Sequence, residues 1–194
     1  MEHRQAPEQP RSRDRLLDAT LRSIHVHGFT QTTVTTVTEL AGVSRGMVRH
    51  EFGSKHAMVI AALDRLCGQW LAATEPDPQL SGRDQVGSIV AAMFAPEAFT
   101  PIAVDAWLAL SVEARSDPEL HRLRVRTHER WVEQLTTAYT QTGVEHPEQC
   151  AVATLATADG LWLRHRGADT DPDSAGATEL GLRVVEGLLA DVDC

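Results

Sequence analysis

TVTTVTELAGVSRGMVRHEFGSK, residues 33–55, is built from two short helical patterns that meet at a glycine. In the first pattern, apolar residues recur at helical spacing: Val34, Val37, Leu40 and Ala41. Gly42 follows and readily takes the left-handed backbone with which helices commonly end. After the apolar Val43, Ser44 is a suitable N-cap for a second helix. The stretch therefore predicts two helices joined by a tight turn, which is a helix-turn-helix.

The second helix of this motif combines an apolar side with a basic and polar one. We expect Val48 and Phe52 to point inward. The residues expected to point outward are Arg45, Met47, Arg49 and His50. A basic helix face beside a short turn suits the DNA major groove. Arg45 and Arg49 are the candidates for reading bases, because a guanidinium fork donates twice to guanine.

Phosphate contacts are expected around the base-reading residues. Thr33 and Lys55 stand at predicted helix starts, where the positive end of the helix dipole favours phosphate. His50 is a further candidate for phosphate, and Arg11 and Arg13 for a phosphate or minor-groove contact. The full predicted DNA-binding set is Thr33, Ser44, Arg45, Met47, Arg49, His50 and Lys55. The alternative for each is an ordinary solvated surface residue.

The composition is that of an ordinary globular protein, with 42% apolar and 23% charged residues among 194. No apolar run approaches the roughly 18 residues of a membrane span, and the N-terminus is polar rather than a signal peptide. We therefore expect a cytoplasmic protein without membrane association. The three cysteines are widely spaced, which predicts neither a disulfide framework nor a zinc site. No metal and no cofactor is expected.

Charge is divided unevenly along the chain. The formal net charge is −9, yet residues 1–55 carry eight basic and six acidic residues, a net charge of +2. The remainder therefore stands at −11. An acidic body repels DNA except through its basic end, which favours docking by one surface. An asymmetry of this size also arises by chance in globular proteins.

Proline and glycine residues mark the predicted boundaries of domains and helices in the rest of the chain. Residues 1–10 are predicted to be a disordered tail, residues 11–55 a DNA-binding domain, and residues 56–194 an all-α body for effector binding and dimerisation. A strongly apolar helix begins at Lys55 and stops at the Pro-rich segment 75–82. The helices predicted beyond it run from Arg83 to Phe94, Pro101 to Arg115, Pro118 to Thr142, Pro147 to Arg166 and Ser174 to Ala190.

The first half of the chain resembles the DNA-binding head of TetR-family transcriptional regulators. The matching positions are Thr33, the Ala41-Gly42-Val43-Ser44 turn, Gly46, His50, Phe52 and Lys55. In the second half, Ala106-Trp107-Leu108-Ala109 and Asp159-Gly160-Leu161-Trp162-Leu163-Arg164 resemble body motifs of the BetI-type branch. The resemblance implies an all-α protein in which a three-helix head is joined by a long helix to a helical body. It also implies a ligand-released repressor that is not an enzyme.

The chain departs from the family pattern in its second helix. Family members usually carry an aromatic residue where Arg49 or Glu51 stands, and alanine where Thr38 stands. A carboxylate near phosphate is repelled, so Glu51 is expected to pair with Arg49 or a nearby arginine, or to point away. The operator sequence is therefore not predicted.

Operators are commonly read by two heads about 34 Å apart, because one small head buries little surface on DNA. We therefore expect a homodimer on a palindromic double-stranded operator. Its interface is assigned to the last two helices, which similar family members pair into a four-helix bundle. The apolar residues named for this interface are Leu155, Leu161, Val184, Val185, Leu188 and Leu189.

Four tryptophans stand out in a chain with only 5% aromatic residues: Trp70, Trp107, Trp131 and Trp162. Tryptophan faces bind quaternary ammonium groups well, and the BetI-type branch answers to choline. A cation–π pocket formed by Trp107 and Trp162 is therefore predicted for a small-molecule effector. Asp105, Asp159 or Glu113 would balance the effector's charge. The alternative is that the tryptophans are core and interface residues.

Two other classes of function are open at this point. A small helical enzyme is disfavoured, because the chain has no Gly-rich phosphate loop, nucleophile elbow, HExxH pair or Cys-His ligand spacing. No catalytic residue is assigned. An effector-independent architectural DNA-binding protein needs its body only for dimerisation. A well-packed body favours the architectural protein, whereas a closed apolar cavity with a few polar groups favours the effector-responsive regulator.

Overall fold

The computed structural model describes residues 12–165 and 172–190, and all regular structure within these ranges is helical. The helices are α1 (Ser12–His27), α2 (Val34–Ala41), α3 (Gly46–Phe52), α4 (Lys55–Ala73), α5 (Gly82–Met93), α6 (Pro101–Glu113), α7 (Pro118–Thr140), α8 (Pro147–His165) and α9 (Ser174–Leu189). The predicted all-α fold class is confirmed. The predicted disordered tail, residues 1–10, lies outside the described residues.

The chain forms two compact units, Met1–Leu63 and Asp64–Cys194, and the boundary between them falls within α4. The predicted division after residue 55 coincides instead with the start of this helix. From α5 onward, the predicted helix ends differ from the observed ones by two residues at most. Proline and capping residues explain this agreement, since Pro101 and Pro118 each lie in a first turn.

The first unit is held together by a small apolar core. Its fully or nearly fully buried members are Leu16, Ala19, Val37, Ala41, Val48 and Met58. They come from α1, α2, α3 and the beginning of α4, so the core fixes the two helices of the helix-turn-helix against their supports. Burying one such leucine, valine or methionine side chain contributes about 1.5–3 kcal/mol. The core therefore gives the turn a defined geometry.

Local hydrogen bonds define the ends of α2. The Thr33 hydroxyl accepts from the Thr36 N–H at 3.1 Å, and the Thr36 hydroxyl accepts from the Thr33 N–H at 2.9 Å, which is a capping box. At the other end, Gly42 has φ 63° and ψ 40° in the left-handed region. Both predicted ends of this helix are confirmed.

The start of α3 differs from the sequence prediction. The helix begins at Gly46, Arg45 occupies the N-cap position, and no side chain caps it, so the N-cap prediction for Ser44 is wrong. The physical reason is a tight turn before the helix: the Ser44 carbonyl accepts from the Met47 N–H at 3.0 Å. By contrast, a side chain does cap α4, since Ser54 Oγ accepts from the Ala57 N–H at 3.0 Å.

In the second unit, α7 packs against α5, α6 and α8, while α9 packs against α5 and α8. The aromatic side chains of this unit converge on its interior, where Trp70, Trp107, Trp131 and Trp162 are each no more than 6% exposed. The four tryptophans come from four helices, α4, α6, α7 and α8, and together form an aromatic core.

Candidate DNA-binding surface and effector cavity

The outer side of α3 presents two free arginines. Arg45, Arg49 and His50 are exposed, as is Ser44 in the turn before the helix. Within the described residues, no hydrogen bond or ion pair involves the guanidinium of Arg45 or Arg49. An unpaired guanidinium loses no internal partner when it donates to a guanine or a phosphate. The two predicted base-reading residues are therefore exposed and available.

Met47 and Glu51 lie on the border between the inner and outer sides of α3. Met47 is half-buried and packs against the apolar core of the first unit, so its predicted outward orientation is wrong. Its neighbour Val48 is the buried residue of this helix, and Met47 follows because adjacent positions differ by only about 100° around the axis. A DNA contact from Met47 stays a prediction.

The Glu51 carboxylate is directed at His50 rather than at an arginine. His50 Nδ1 lies 3.6 Å from Glu51 Oε1, and the two side chains are 77% and 24% exposed. This contact is an ion pair only when the imidazole is protonated. Of the predicted alternatives for Glu51, pairing with Arg49 or a nearby arginine is absent among the described residues, and the carboxylate is turned toward His50 instead.

Arg13 braces the end of α3. Its guanidinium lies 4.5 Å from the ring centroid of Phe52 and donates to the Glu51 carbonyl at 3.2 Å. A cation–π contact of this kind contributes about 0.5–1 kcal/mol at an exposed site. The side chain predicted for phosphate or minor-groove contact thus also has a structural role. Arg11, its predicted companion, lies outside the described residues.

Thr33 and Lys55 stand at the N-terminal ends of α2 and α4, as predicted. Thr33 is exposed and its hydroxyl is engaged in the capping box, while Lys55 is half-buried. The first N–H groups of any α-helix lack intrahelical acceptors, and the helix dipole adds positive potential there. Both ends are thus suited to phosphate, and the individual contacts stay predictions.

All four tryptophans meet in one cluster inside the second unit. The Trp70 centroid lies 5.9 Å from Trp107, 6.1 Å from Trp131 and 5.1 Å from Trp162. Trp107 and Trp131 are themselves 5.3 Å apart. Most of these pairs are close to perpendicular, the edge-to-face arrangement that the ring quadrupoles favour. The sequence prediction paired only Trp107 and Trp162, because nothing in the spacing of Trp70 and Trp131 shows that they converge.

A cavity of about 20 Å³ lies within this cluster, which is room for about one water molecule. It is lined by Trp70, Thr74, Ala92, Met93, Trp107, Trp131, Leu155, Ala158, Asp159 and Trp162. Of the predicted effector residues, Trp107, Trp162 and Asp159 are therefore brought together. Asp105 does not line the cavity, because two residues before Trp107 on α6 its side chain projects to another side of the helix.

Asp159 is the carboxylate of the cavity. Its Oδ1 accepts from Trp107 Nε1 at 3.1 Å. Burial raises the pKa of Asp159 above its ordinary value, while the Trp107 N–H, His128 and Arg124 act to lower it. Burial has the largest effect on the pKa, so a further cation beside the carboxylate would lower the pKa and favour the ionised form.

The indole N–H groups of the cluster differ in their partners. Trp131 Nε1 donates to Thr74 Oγ1 at 3.1 Å, and Thr74 Oγ1 donates to Gln134 Oε1 at 2.9 Å. With the partly buried bond from Trp107 to Asp159, two rings are held by hydrogen bonds of their indole N–H groups. The Nε1 atom of Trp70, in contrast, is buried without a hydrogen-bond partner among the described residues.

Comparison with known proteins covers both halves of the chain. Residues 16–62 match the family described as bacterial regulatory proteins of the tetR family. Residues 82–190 match the family described as the C-terminal part of BetI-type transcriptional repressors. The chain belongs to the BetI-type branch of the TetR family. The resemblance drawn from the sequence is thereby confirmed, and the protein is a transcriptional regulator.

Individual relatives extend over almost the whole chain. The HTH-type transcriptional regulator BetI of Burkholderia lata is 32% identical and covers 92% of this chain and 94% of its own. A transcriptional regulator from Pseudomonas aeruginosa PAO1 superposes with a TM-score of 0.77 at 26% identity, over 96% of this chain and 93% of its own. A transcriptional regulator from Saccharomonospora viridis, solved in complex with choline, shares the fold with a TM-score of 0.75, 18% identity and coverage of 90% and 95%.

TetR-family regulators bind DNA and dimerise, and this regulator leaves an apolar stripe uncovered on α8. The stripe consists of the exposed residues Val152, Ala156, Gly160 and Leu163, at helical spacing. On α9, Leu180 is 44% exposed and Val184 and Leu188 are half-buried.

The interface residues named from the sequence need correction. Leu155, Leu161, Val185 and Leu189 are buried within a single chain, because they face the helices of their own unit. Apolarity alone does not tell an inner helix face from an outer one when both are apolar. The uncovered face is therefore the stripe, together with Leu180, Val184 and Leu188.

Other classes of site receive no support in this TetR-family chain. The described residues contain no group of three or more His, Cys, Asp or Glu able to hold a metal ion. None of the described helices is both long and apolar enough for a membrane span. Cys67 is buried, and burial raises the pKa of its thiol to about 11, which fits a packing role. The family and the relatives are regulators and not enzymes.

Proposed function

We propose that this regulator is a repressor that binds a palindromic operator as a homodimer and is released by a small cationic effector. The observation that carries the proposal is that one chain combines two features: Arg45 and Arg49, at the start and on the outer side of α3 and unpaired within the described residues, and an aromatic cavity lined by one carboxylate. The arginines suit binding in the DNA major groove, and the aromatic cavity suits binding of a cation.

On the DNA side, α3 is the recognition helix. Arg45 and Arg49 donate to base edges in the major groove, while Thr33, Ser44, His50 and Lys55 contact phosphates around them. Each well-formed arginine–guanine pair discriminates against a wrong base by about 1–3 kcal/mol. The His50–Glu51 contact keeps the carboxylate turned toward a positive group when the imidazole is protonated, which limits its repulsion of DNA.

The dimer forms through α8 and α9. The stripe on α8 carries two small residues, Ala156 and Gly160, between larger ones, which allows close approach of a partner helix. Leu163 is 61% exposed in the single chain, and burying such residues against a second copy supplies the main driving force for association. Two heads then face successive major grooves, about 34 Å apart.

On the effector side, the cavity suits a quaternary ammonium compound. Tryptophan faces attract such cations, and a cation beside the half-buried Asp159 carboxylate would oppose the effect of burial on its pKa. The Saccharomonospora viridis regulator with the same fold was solved with choline, which supports this effector class. The lining of four aromatic rings and one carboxylate supports the effector-responsive regulator, whereas the free volume of about 20 Å³ by itself would also fit the well-packed body of an architectural protein.

Release follows from a population shift. The effector binds preferentially to a conformation of the body in which the two heads no longer match the operator spacing, and its differential affinity sets the extent of release. α4 carries this change, because the same helix contains Met58 of the head core and Trp70 of the cavity.

The test combines DNA binding with effector titration. Fluorescence anisotropy with labelled DNA from upstream of the regulator's gene gives the affinity for specific DNA at a fixed salt concentration. Choline, glycine betaine and tetramethylammonium are then added one at a time. We expect a tightly bound dimer that is released by at least one of these cations, with a raised melting temperature of the free protein. Specific DNA binding that none of the three cations changes would contradict the effector class.

A further inference from the structure

Trp70 is the central ring of the tryptophan cluster. Among the described residues it alone contacts the other three tryptophan rings, at centroid distances between 5.1 and 6.1 Å. The rings of Trp107 and Trp162 stand at 83° and 89° to it. Trp107, Trp131 and Trp162 thus surround the Trp70 indole on several sides. We call these three rings the aromatic box, and the Trp70 indole lies inside it.

The dimensions of this box match those of a cation site. A cation interacts with an aromatic ring when it lies within about 6 Å of the ring centroid. A cation at the position of the Trp70 centroid would lie 5.9 Å from Trp107, 5.1 Å from Trp162 and 6.1 Å from Trp131. Asp159, hydrogen-bonded to Trp107, lines the same space. The position that best suits an ammonium group is therefore the one that Trp70 fills.

Trp70 is also held less firmly than two of the walls. Trp107 and Trp131 are each held by a hydrogen bond of 3.1 Å, to Asp159 and Thr74 respectively. Trp70 Nε1 is buried, and no residue in the described ranges accepts a hydrogen bond from it. An unsatisfied buried N–H costs free energy, which the ring recovers when its N–H reaches water. Moving Trp70 out of the box breaks no hydrogen bond of its side chain.

We infer that the Trp70 indole occupies the effector's place in the ligand-free protein and leaves the box when the effector binds. The inference rests on the proposed function, since it assumes a cationic effector at this site. It explains why a box lined by three tryptophans and a carboxylate leaves only about 20 Å³ free. Because Trp70 belongs to α4, the effector displaces a side chain of the helix that also enters the head core.

The test measures choline and tetramethylammonium binding by calorimetry to the full-length wild type, Trp70→Ala and Trp107→Ala. If Trp70 competes with the effector, Trp70→Ala binds choline at least tenfold more tightly, whereas loss of the Trp107 wall weakens binding. Free indole should refill the Trp70→Ala box, raise its melting temperature and compete with choline. Should Trp70→Ala not fold, Trp70→Phe and Trp70→Leu replace it, with a smaller gain expected.

A second measurement follows the ring itself in the wild type. In protein labelled with 5-fluorotryptophan, the ¹⁹F signal of Trp70, assigned through Trp70→Phe, should move to the solvent-exposed position when choline is added. Two results would overturn the inference about Trp70 and leave the proposed effector standing. In the first, wild-type protein binds choline while the Trp70 signal stays at its buried position. In the second, Trp70→Ala binds choline no more tightly than the wild type does. Absence of binding to every variant would overturn the proposed effector as well.

Discussion

Asp159 concentrates the electrostatics of the cavity in one side chain. Desolvation raises its pKa and outweighs the lowering effect of the Trp107 N–H, so the folded protein retains the carboxyl proton to a higher pH than the unfolded chain does. The free energy of unfolding that this group contributes is therefore fully present at acid pH and is lost as pH rises through the raised pKa. A bound cation reverses the effect, because it favours the ionised form.

Replacing Asp159 by asparagine separates charge from hydrogen bonding. Asparagine keeps an oxygen that accepts from Trp107 Nε1, so we expect unchanged or higher stability at neutral pH. We expect choline affinity to fall by about tenfold or more, which is about 1.4 kcal/mol. In the wild type, affinity should decrease as pH is lowered through the pKa of Asp159, and in Asp159→Asn it should not. Calorimetry over a series from acid to neutral pH measures both; parallel pH profiles for the two proteins would refute the assignment.

Arg49 is exposed, and its guanidinium has no partner among the described residues. Arg49→Ala removes one base contact per head, or two per dimer, each with about 1–3 kcal/mol of discrimination. Specific operator affinity should fall by roughly 30-fold or more, while the melting temperature stays the same. Arg122→Ala is the control, since Arg122 is an exposed arginine of the body paired only with Glu119. Equal operator affinity in Arg49→Ala and wild type would exclude Arg49 as a base-reading residue.

The turn between α2 and α3 depends on the left-handed backbone conformation of Gly42. Gly42 has φ 63°, and a Cβ added there would lie 2.9 Å from Arg15 Nη2. Arg15 in turn donates to the carbonyls of Ala41 and Gly42. A substitution at Gly42 therefore strains the backbone and also displaces a guanidinium that holds α1 to the end of α2.

Gly28 provides a matched control for this glycine. It has φ 78° at the end of α1, but a Cβ there meets nothing within 4 Å. Alanine at either position costs about 1–2 kcal/mol through the left-handed backbone. Gly42→Ala should cost more than Gly28→Ala, because the hydrogen bonds of Arg15 are also lost. Urea unfolding of the two variants measures the difference, and an equal loss in both would show that Arg15 contributes nothing at this turn.

The helix ends differ in how far the sequence alone predicts them. The ends of α2 and the start of α4 were predictable, since capping threonine, serine and a left-handed glycine act on neighbouring atoms. The start of α3 was not, because the i→i+3 turn at Ser44 competes with a side-chain cap and leaves no distinct sequence signal. The aromatic box was half predictable: family motifs indicate Trp107 and Trp162, whereas Trp70 joins them only through helix packing.

At the scale of the whole molecule, the uncovered stripe on α8 predicts the mode of association. Leu163→Lys places a charge in the proposed interface, and an unpaired buried charge is strongly unfavourable. We expect this variant to be monomeric in sedimentation and to bind the operator poorly. Val112→Lys is the control, because Val112 on α6 is 63% exposed, as Leu163 is 61% exposed. A Leu163→Lys protein that remains dimeric would place the interface elsewhere.

The same stripe has a consequence for the level at which the regulator must be produced. If the operator is read only by the dimer and each free chain leaves Val152 and Leu163 in water, operator occupancy at low abundance rises with the square of the number of chains. A cell that halves its supply of the protein then loses about three quarters of its dimers in that regime. The regulated gene would therefore respond to dilution at cell division more steeply than it would under a monomeric reader.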